Sequence, residues 1–335
     1  MPENAAQDHP IWLLKLVFRF PFGGLLSAAL IFTVLYSLFR VYANIEDVGF
    51  YTTLFLCGMT AYIVPVFAHI INRSVQAFDA LADLLEVNPE QRSQWRRSLD
   101  HRSTGWTLIV TTLGLAGGLA HMVILQLASS GNVADIFTSG SGIMSAVGTV
   151  LIWLTMTTVI SALTKNALLF YRLGRDHLRI DLLNSRELVP LAWVAVISTL
   201  SMIGAQALFV LLAMDTHTSL TAVLPGFIAT AIPMLPLFML PIWSAHQRLK
   251  IVKSDELKAI RARLKRAREG LDTPLEEPEK LARLNDLLSY RREILGISEW
   301  PFDLGAVSRL GLYLIIPPLT WVGAALIENL VETLL

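Results

Sequence analysis

The chain has 335 residues, of which 54% are hydrophobic and 16% charged, against about a quarter charged in soluble domains. With a mean hydropathy of +0.55 and apolar runs recurring to the last residue, this composition excludes one soluble globule and a disordered chain. Its 27 basic and 27 acidic residues cancel to a formal charge of zero, which argues against a nucleic-acid partner.

Residues 1–20 form an N-terminal arm. No small-residue cleavage site follows the first apolar run, so the arm is expected to be retained. Ile11 to Phe20 makes either a short interfacial helix, with Lys15 and Arg19 four residues apart on one face, or an extension of the first span.

A hydrocarbon core about 30 Å thick takes roughly 20 apolar helical residues. Seven segments meet that requirement, at about 21–39, 51–71, 104–128, 142–164, 188–213, 220–243 and 304–330. The runs are continuous and lack the period-two polar interruption of a barrel strand. The expected fold is therefore all-α, a polytopic helical membrane protein with seven transmembrane helices. Six of them fall in 21–243, with helical connections at 72–103 and 165–187. A helical hairpin at 244–303 and the seventh span in 304–335 follow.

Basic residues sort these connections by side. Twenty-five of the 27 lie in the N-terminal arm or in the second, fourth and sixth connections; the exceptions are Arg40 and Arg309. Lys and Arg on short loops resist translocation, so the N-terminus is expected in the cytoplasm and the C-terminus outside. Rhodopsin-like receptors and retinal pumps are excluded by that orientation, and no lysine follows Lys280 to carry a Schiff base. Trp106, Trp243 and Trp300 fall at the cytoplasmic ends of their spans, where an amphipathic ring is stable.

The cytoplasmic connections carry helical spacing. Val75, Phe78, Leu81 and Leu85 recur at three and four, and Asn88-Pro89 reads as the cap and first residue of another helix carrying Trp95 and Leu99. Beyond the fourth span the pattern continues through Leu173 and Ile180 to Asn184, predicting a projection of about 28 Å at 1.5 Å per residue. In the sixth connection, Leu257, Ile260 and Leu264 face Leu284, Leu288 and Leu295 across a break at Gly270, Pro274 and Pro278. The first arm of this hairpin is basic and the second slightly acidic, so the arms are expected to pair. The run Arg261 to Arg268 is then a solvated flank, or a patch for anionic lipid or nucleic acid.

Searches for chemistry by spacing return little. There is no H-E-x-x-H, paired C-x-x-C, P-loop or G-x-S-x-G. His177 and Asp181 stand one helical turn apart, as an acid–base pair or as an ordinary charged face. Cys57, the single cysteine, lies within an apolar run. No catalytic residue, cofactor or metal is expected, and the chain is expected not to be an enzyme.

Polar residues inside spans are few: His121, Gln126, Gln206 and Arg309. His121 shares a face with Gly114 and Gly118, whose spacing permits close helix approach, and Thr155, Thr157 or Thr158 of the fourth span are its expected partners. Prolines supply the other candidates. Pro225, Pro233, Pro236 and Pro241 lie in the sixth span, and Pro317-Pro318 near the middle of the seventh, with Thr320 beside them. Each removes an amide donor and displaces the carbonyl four residues earlier, predicting interrupted helices with free carbonyls at Ala229, Ile232 and Tyr313. A static kink is the alternative.

Seven spans, an inner N-terminus and a helical cytoplasmic layer resemble the insect chemoreceptor channels in arrangement, with no shared motif to carry a functional residue across. Two functions follow as expectations for a multi-pass protein of the plasma membrane, here a bacterial inner membrane. One is a channel or transporter routed between the sixth and seventh helices, gated by the cytoplasmic layer. The other is a non-transporting sensor or assembly scaffold. Expected partners are the lipid bilayer, further copies of the chain, and a cytoplasmic protein at residues 244–300.

Overall fold

The computed structural model describes residues 8–43, 45–129, 131–214, 220–269 and 278–300. The helices are α1 (Gly23–Tyr42), α2 (Ile45–Val48), α3 (Phe50–Ala80), α4 (Pro89–Arg97), α5 (Thr104–Ser129), α6 (Gly140–Arg172), α7 (Val189–Ala207), α8 (Val210–Ala213), α9 (Leu220–Glu269) and α10 (Pro278–Gly296). Among the described residues, six helical segments are long and apolar enough to cross a membrane: Gly23–Tyr42, Phe50–Ala80, Thr104–Leu127, Gly140–His177, Leu182–Leu212 and Val223–Ala267. The chain is thus a multi-pass helical membrane protein. The expected seventh span, 304–330, lies outside the described residues.

Burial ranks the helices. In its most apolar window α3 is 67% buried, whereas α1 and α5 reach only 11% and 17%. So α3 is the central post, with α1, α6 and α7 packed on it and α9 against α6 and α7. The outer helix α5 packs on α6. Within the bundle Met59, Ile63 and Phe67 of α3 meet Ile152 and Val159 of α6 in one core. The outward Leu108, Ile109 and Leu113 of α5 are exposed, as side chains facing acyl chains should be.

A second core lies beyond the bundle. Phe78 and Leu81 at the end of α3, Leu99, Phe170, Leu173 and Ile260 are buried together. Here α4 starts where its sequence indicates: Asn88 accepts from the Gln91 amide at 2.7 Å and Pro89 takes the first helical position. Its Arg96 grips Asp79 of α3 through two parallel bonds, at 2.7 and 2.9 Å.

The fourth span does not project as a straight rod to Asn184, as its spacing predicts. Helix α6 ends at Arg172, Leu173–His177 forms a π turn, and the chain then extends so that Leu178 pairs antiparallel with Leu85. The Glu86 amide donates to the His177 carbonyl and the Arg179 amide to Leu84, each at 2.9 Å. The physical reason is burial. Leu173 and Leu178 are 0% and 1% exposed, and a projecting rod would have left both in water. His177 and Asp181 therefore do not share a helical turn. The imidazole packs on Trp95, with ring centroids 5.0 Å apart, and Asp181 accepts from the Leu183 amide.

The N-terminal arm is not an extension of the first span either. Strand β1 (Asp8–Pro10) pairs antiparallel with β2 (His101–Ser103), Asp8 opposite Ser103. A short 3-10 helix, Trp12–Leu16, follows and buries Leu13. Phe22, at φ 66°, then swings the chain into α1, whose first turn has no side-chain cap. Arg102 of β2 is buried, donating to the carbonyls of Ser98, His101 at 2.9 Å and Ala162 at 3.3 Å. Trp106 is also buried, its indole donating to Ser161 Oγ at 3.1 Å.

Helices α9 and α10 lie antiparallel. His246 bonds the Glu299 carbonyl and stacks on Trp300, Lys253 Nζ donates to the Ile297 carbonyl at 2.7 Å, and Tyr290 reaches Glu256 at 3.5 Å. Ile260 and Ile294 are fully buried in this packing. Between the two helices Lys253 faces Glu299 at 3.9 Å, while Arg261, Arg263 and Arg266 point to the exterior.

Candidate functional site

Helix α9 contains Pro225, Pro233, Pro236 and Pro241, yet it is helical from Leu220 to Glu269. The expected interruption of the sixth span is therefore corrected: the prolines are accommodated inside one continuous helix. Each still withholds an amide from the carbonyl four residues earlier, which makes the span compliant without breaking it. Pro225 and Pro233 are half-buried and Pro241 buried, whereas Pro236 faces outward beside the exposed Ile232 and Leu235. Pro317, Pro318, Thr320 and Arg309, together with the carbonyl of Tyr313, lie outside the described residues.

The break falls in the fifth span instead. Helix α7 ends at Ala207, the amides of Leu208 and Phe209 reach back only three residues, and the chain resumes as α8. No proline marks the place. Phe209 there enters an aromatic group with Phe55 and Phe227, at centroid distances of 5.0 and 5.8 Å.

Immediately before the break stands Gln206, fully buried. Its Nε2 donates to Thr230 Oγ1 of α9 at 3.1 Å, and the Thr230 hydroxyl can donate to the Phe227 carbonyl at 2.9 Å or the Gly226 carbonyl at 3.2 Å. Gln206 Oε1 has no partner among the described residues, and neither has Thr199 Oγ1 two turns earlier on α7. Each such buried oxygen costs about 1–3 kcal/mol. Gln206 is the one sequence candidate that the fold pairs with a second polar side chain between α7 and α9. Thr230 and Thr199 were not singled out, because an isolated threonine in an apolar span ordinarily bonds its own helix.

His121 belongs to a different contact. Its Nδ1 accepts from the Trp153 indole at 2.8 Å, across the close approach that Gly114 and Gly118 make to α6. Two of the threonines expected as its partners are engaged locally: Thr155 bonds the Leu151 and Ile152 carbonyls, and Thr158 that of Leu154. A cavity of about 50 Å³ adjoins His121 and Trp153, and Phe55, Met156 and Phe209 are among the residues that line it. Gln126 lies half-buried in the last turn of α5. Cys57 is buried in the bundle core.

Comparison with protein-family models, with curated proteins and with solved structures finds no match for the chain.

Proposed function

We propose that this protein is a non-transporting sensor or assembly scaffold of the plasma membrane, whose sixth span transmits the state of the bilayer bundle to a cytoplasmic helical layer. One observation supports this reading above others: α9 is a single helix of 50 residues, apolar at its start and charged at its end. At 1.5 Å per residue it is about 75 Å long, roughly two and a half times the thickness of the hydrocarbon core. Its outer half packs on α10 and into the second core through Leu249 and Ile260. Motion of the span is thereby carried into that layer, where residues 244–300 offer a surface to a cytoplasmic protein. No catalytic role is assigned to any residue.

The test is deletion of Leu257–Leu295 from the otherwise complete chain, with flux in reconstituted vesicles and partner crosslinking in the native membrane as readouts. Flux at the protein-free level and loss of the crosslinked partner are the expected results. Sustained flux that survives the deletion overturns the proposal.

The channel or transporter reading keeps one observation in its favour, the unpartnered Gln206 and Thr199 oxygens beside the break in α7. Oxygens of this kind can coordinate a cation or a transported polar group. In that reading, Gln206→Leu lowers flux at least about tenfold.

A further inference from the structure

Two cavities meet on the flank of α3. The larger, of about 650 Å³, lies between the N-terminal arm and α3, and Arg19, His69, Asn72 and Asp100 supply its polar lining. The other, of about 560 Å³, is a groove floored by Ala61 of α3 and walled by Leu25 and Ala28 of α1 and by Leu200 of α7. Gly24, Pro65 and His69 line both, so the two are continuous. Volumes of this size are those of ligand sites, which usually hold about 300–1,000 Å³.

Their depths differ in a way that fits one class of ligand. From Phe50 to His69 the helix rises about 28 Å, the thickness of a hydrocarbon core, so His69 and the polar chamber stand at headgroup level. Ala61 lies about 12 Å deeper, among acyl chains. The groove wall is apolar, and Leu25 and Leu200 on it are 71% and 44% exposed.

Charge selects further. Arg19 is exposed and has no ion pair among the described residues, and His69 is exposed beside it. Asp100 is the single acidic residue of the lining, and its carboxylate is held by His101 Nδ1 at 2.6 Å. Gly24 adds an amide of the uncapped first turn of α1. A guanidinium with this freedom binds a phosphate diester through two parallel bonds.

We infer that this chamber and groove bind one anionic membrane phospholipid, its phosphate on Arg19 and His69 and one acyl chain along Ala61 and Ala28 between α1 and α7. Phe18, Phe20 and Phe22, all exposed around the chamber's rim, embed the arm in the same leaflet. The bound lipid joins the N-terminal arm to the bundle at a place where protein alone leaves space.

The experiment is native mass spectrometry of the full chain released from nanodiscs made with equal parts of phosphatidylglycerol and phosphatidylcholine. Wild type is expected to retain phosphatidylglycerol about tenfold over phosphatidylcholine. Arg19→Gln should abolish that preference, and Ala28→Trp, which fills the groove, should lower retention of both lipids at least fivefold. Thermal midpoints of the variants within a few degrees of wild type show that they are folded. Equal retention of the two lipids by wild type, or an undiminished preference in Arg19→Gln, overturns the inference. Displacement of the lipid by millimolar glycerol phosphate also overturns it, assigning the chamber to a free phosphate.

Discussion

Arg102 of β2 donates to the amide oxygen of Asn166 of α6 at 2.8 Å, and Asn166 donates in turn to the Leu99 carbonyl at 3.2 Å. Both side chains are buried, at 6% and 2% exposure, so strand, loop and helix are fastened through one cation surrounded by neutral acceptors. Burial pushes the guanidinium down to about 10, with Asp100 and Asp8 opposing the shift. It remains a cation at neutral pH, with its face 5.5 Å from the Trp106 ring centroid.

Replacing Arg102 by Leu should destabilise the protein by about 2 kcal/mol, because bonds from a charged donor are lost and Asn166 is left with an unpaired oxygen. Arg102→Lys should recover little, since one ammonium cannot serve acceptors spread over a guanidinium fork. Thermal unfolding in detergent measures both. The folded-state value lies below the ordinary guanidinium range, so the unfolded chain holds the extra proton only above about pH 10. Stability from this residue rises with pH there, and the wild-type and Arg102→Leu curves should run parallel between about pH 5 and 9.

At the seam between α7 and α9 a mutant cycle separates structure from transport. Thr230→Val strips the partner from the Gln206 amide and should cost about 1–3 kcal/mol. Gln206→Leu combined with Thr230→Val removes every unpaired group of the pair and should return stability to within about 1 kcal/mol of wild type. Chemical unfolding of wild type, the two single variants and the double variant gives the coupling. A double variant less stable than Thr230→Val alone contradicts the assignment.

Gly118 holds α5 against α6, and a Cβ there would lie 2.9 Å from the Val150 Cα. Gly118→Ala should therefore force the helices apart at a cost of about 2 kcal/mol and break the Trp153–His121 bond. The Trp153 fluorescence maximum reports the change, and a spectrum identical to wild type counts against it.

The α9–α10 packing depends on Ile294, which is fully buried. Ile294→Ala should cost about 3 kcal/mol locally and raise hydrogen exchange across α10. Leu295, 44% exposed one position later, should tolerate alanine within about 0.5 kcal/mol. Equal exchange in the two variants would refute the burial pattern.

Spans were legible in the sequence because hydrocarbon imposes one requirement on every residue in a window, and among the described residues six of the seven expected runs correspond to long helices. The cap of α4 was legible because Asn88 and Pro89 act within one turn. What escaped depends on partners distant in the chain. Nothing local in Asp8–Pro10 announces a strand; it forms because His101–Ser103 lies beside it. The prolines of α9 read as breaks, but neighbouring α6 and α7 support that helix, while α7 tightens to three-residue bonds after an unremarkable Ala207. Gln206 stood out as polar among apolar residues, and only folding supplied Thr230.

The four prolines of α9 all lie in its first half, and none follows Pro241. In the proposed sensor the helix would act as a lever that yields at its proline-bearing root. From Trp243 to Ala267 the stiff part extends about 36 Å, so a tilt of about 10° at its base swings the tip by about 6 Å. In the proposed sensor, a thinning or sideways squeeze of the surrounding lipid that tilted this root would be read at the tip as a displacement about as wide as a helical turn.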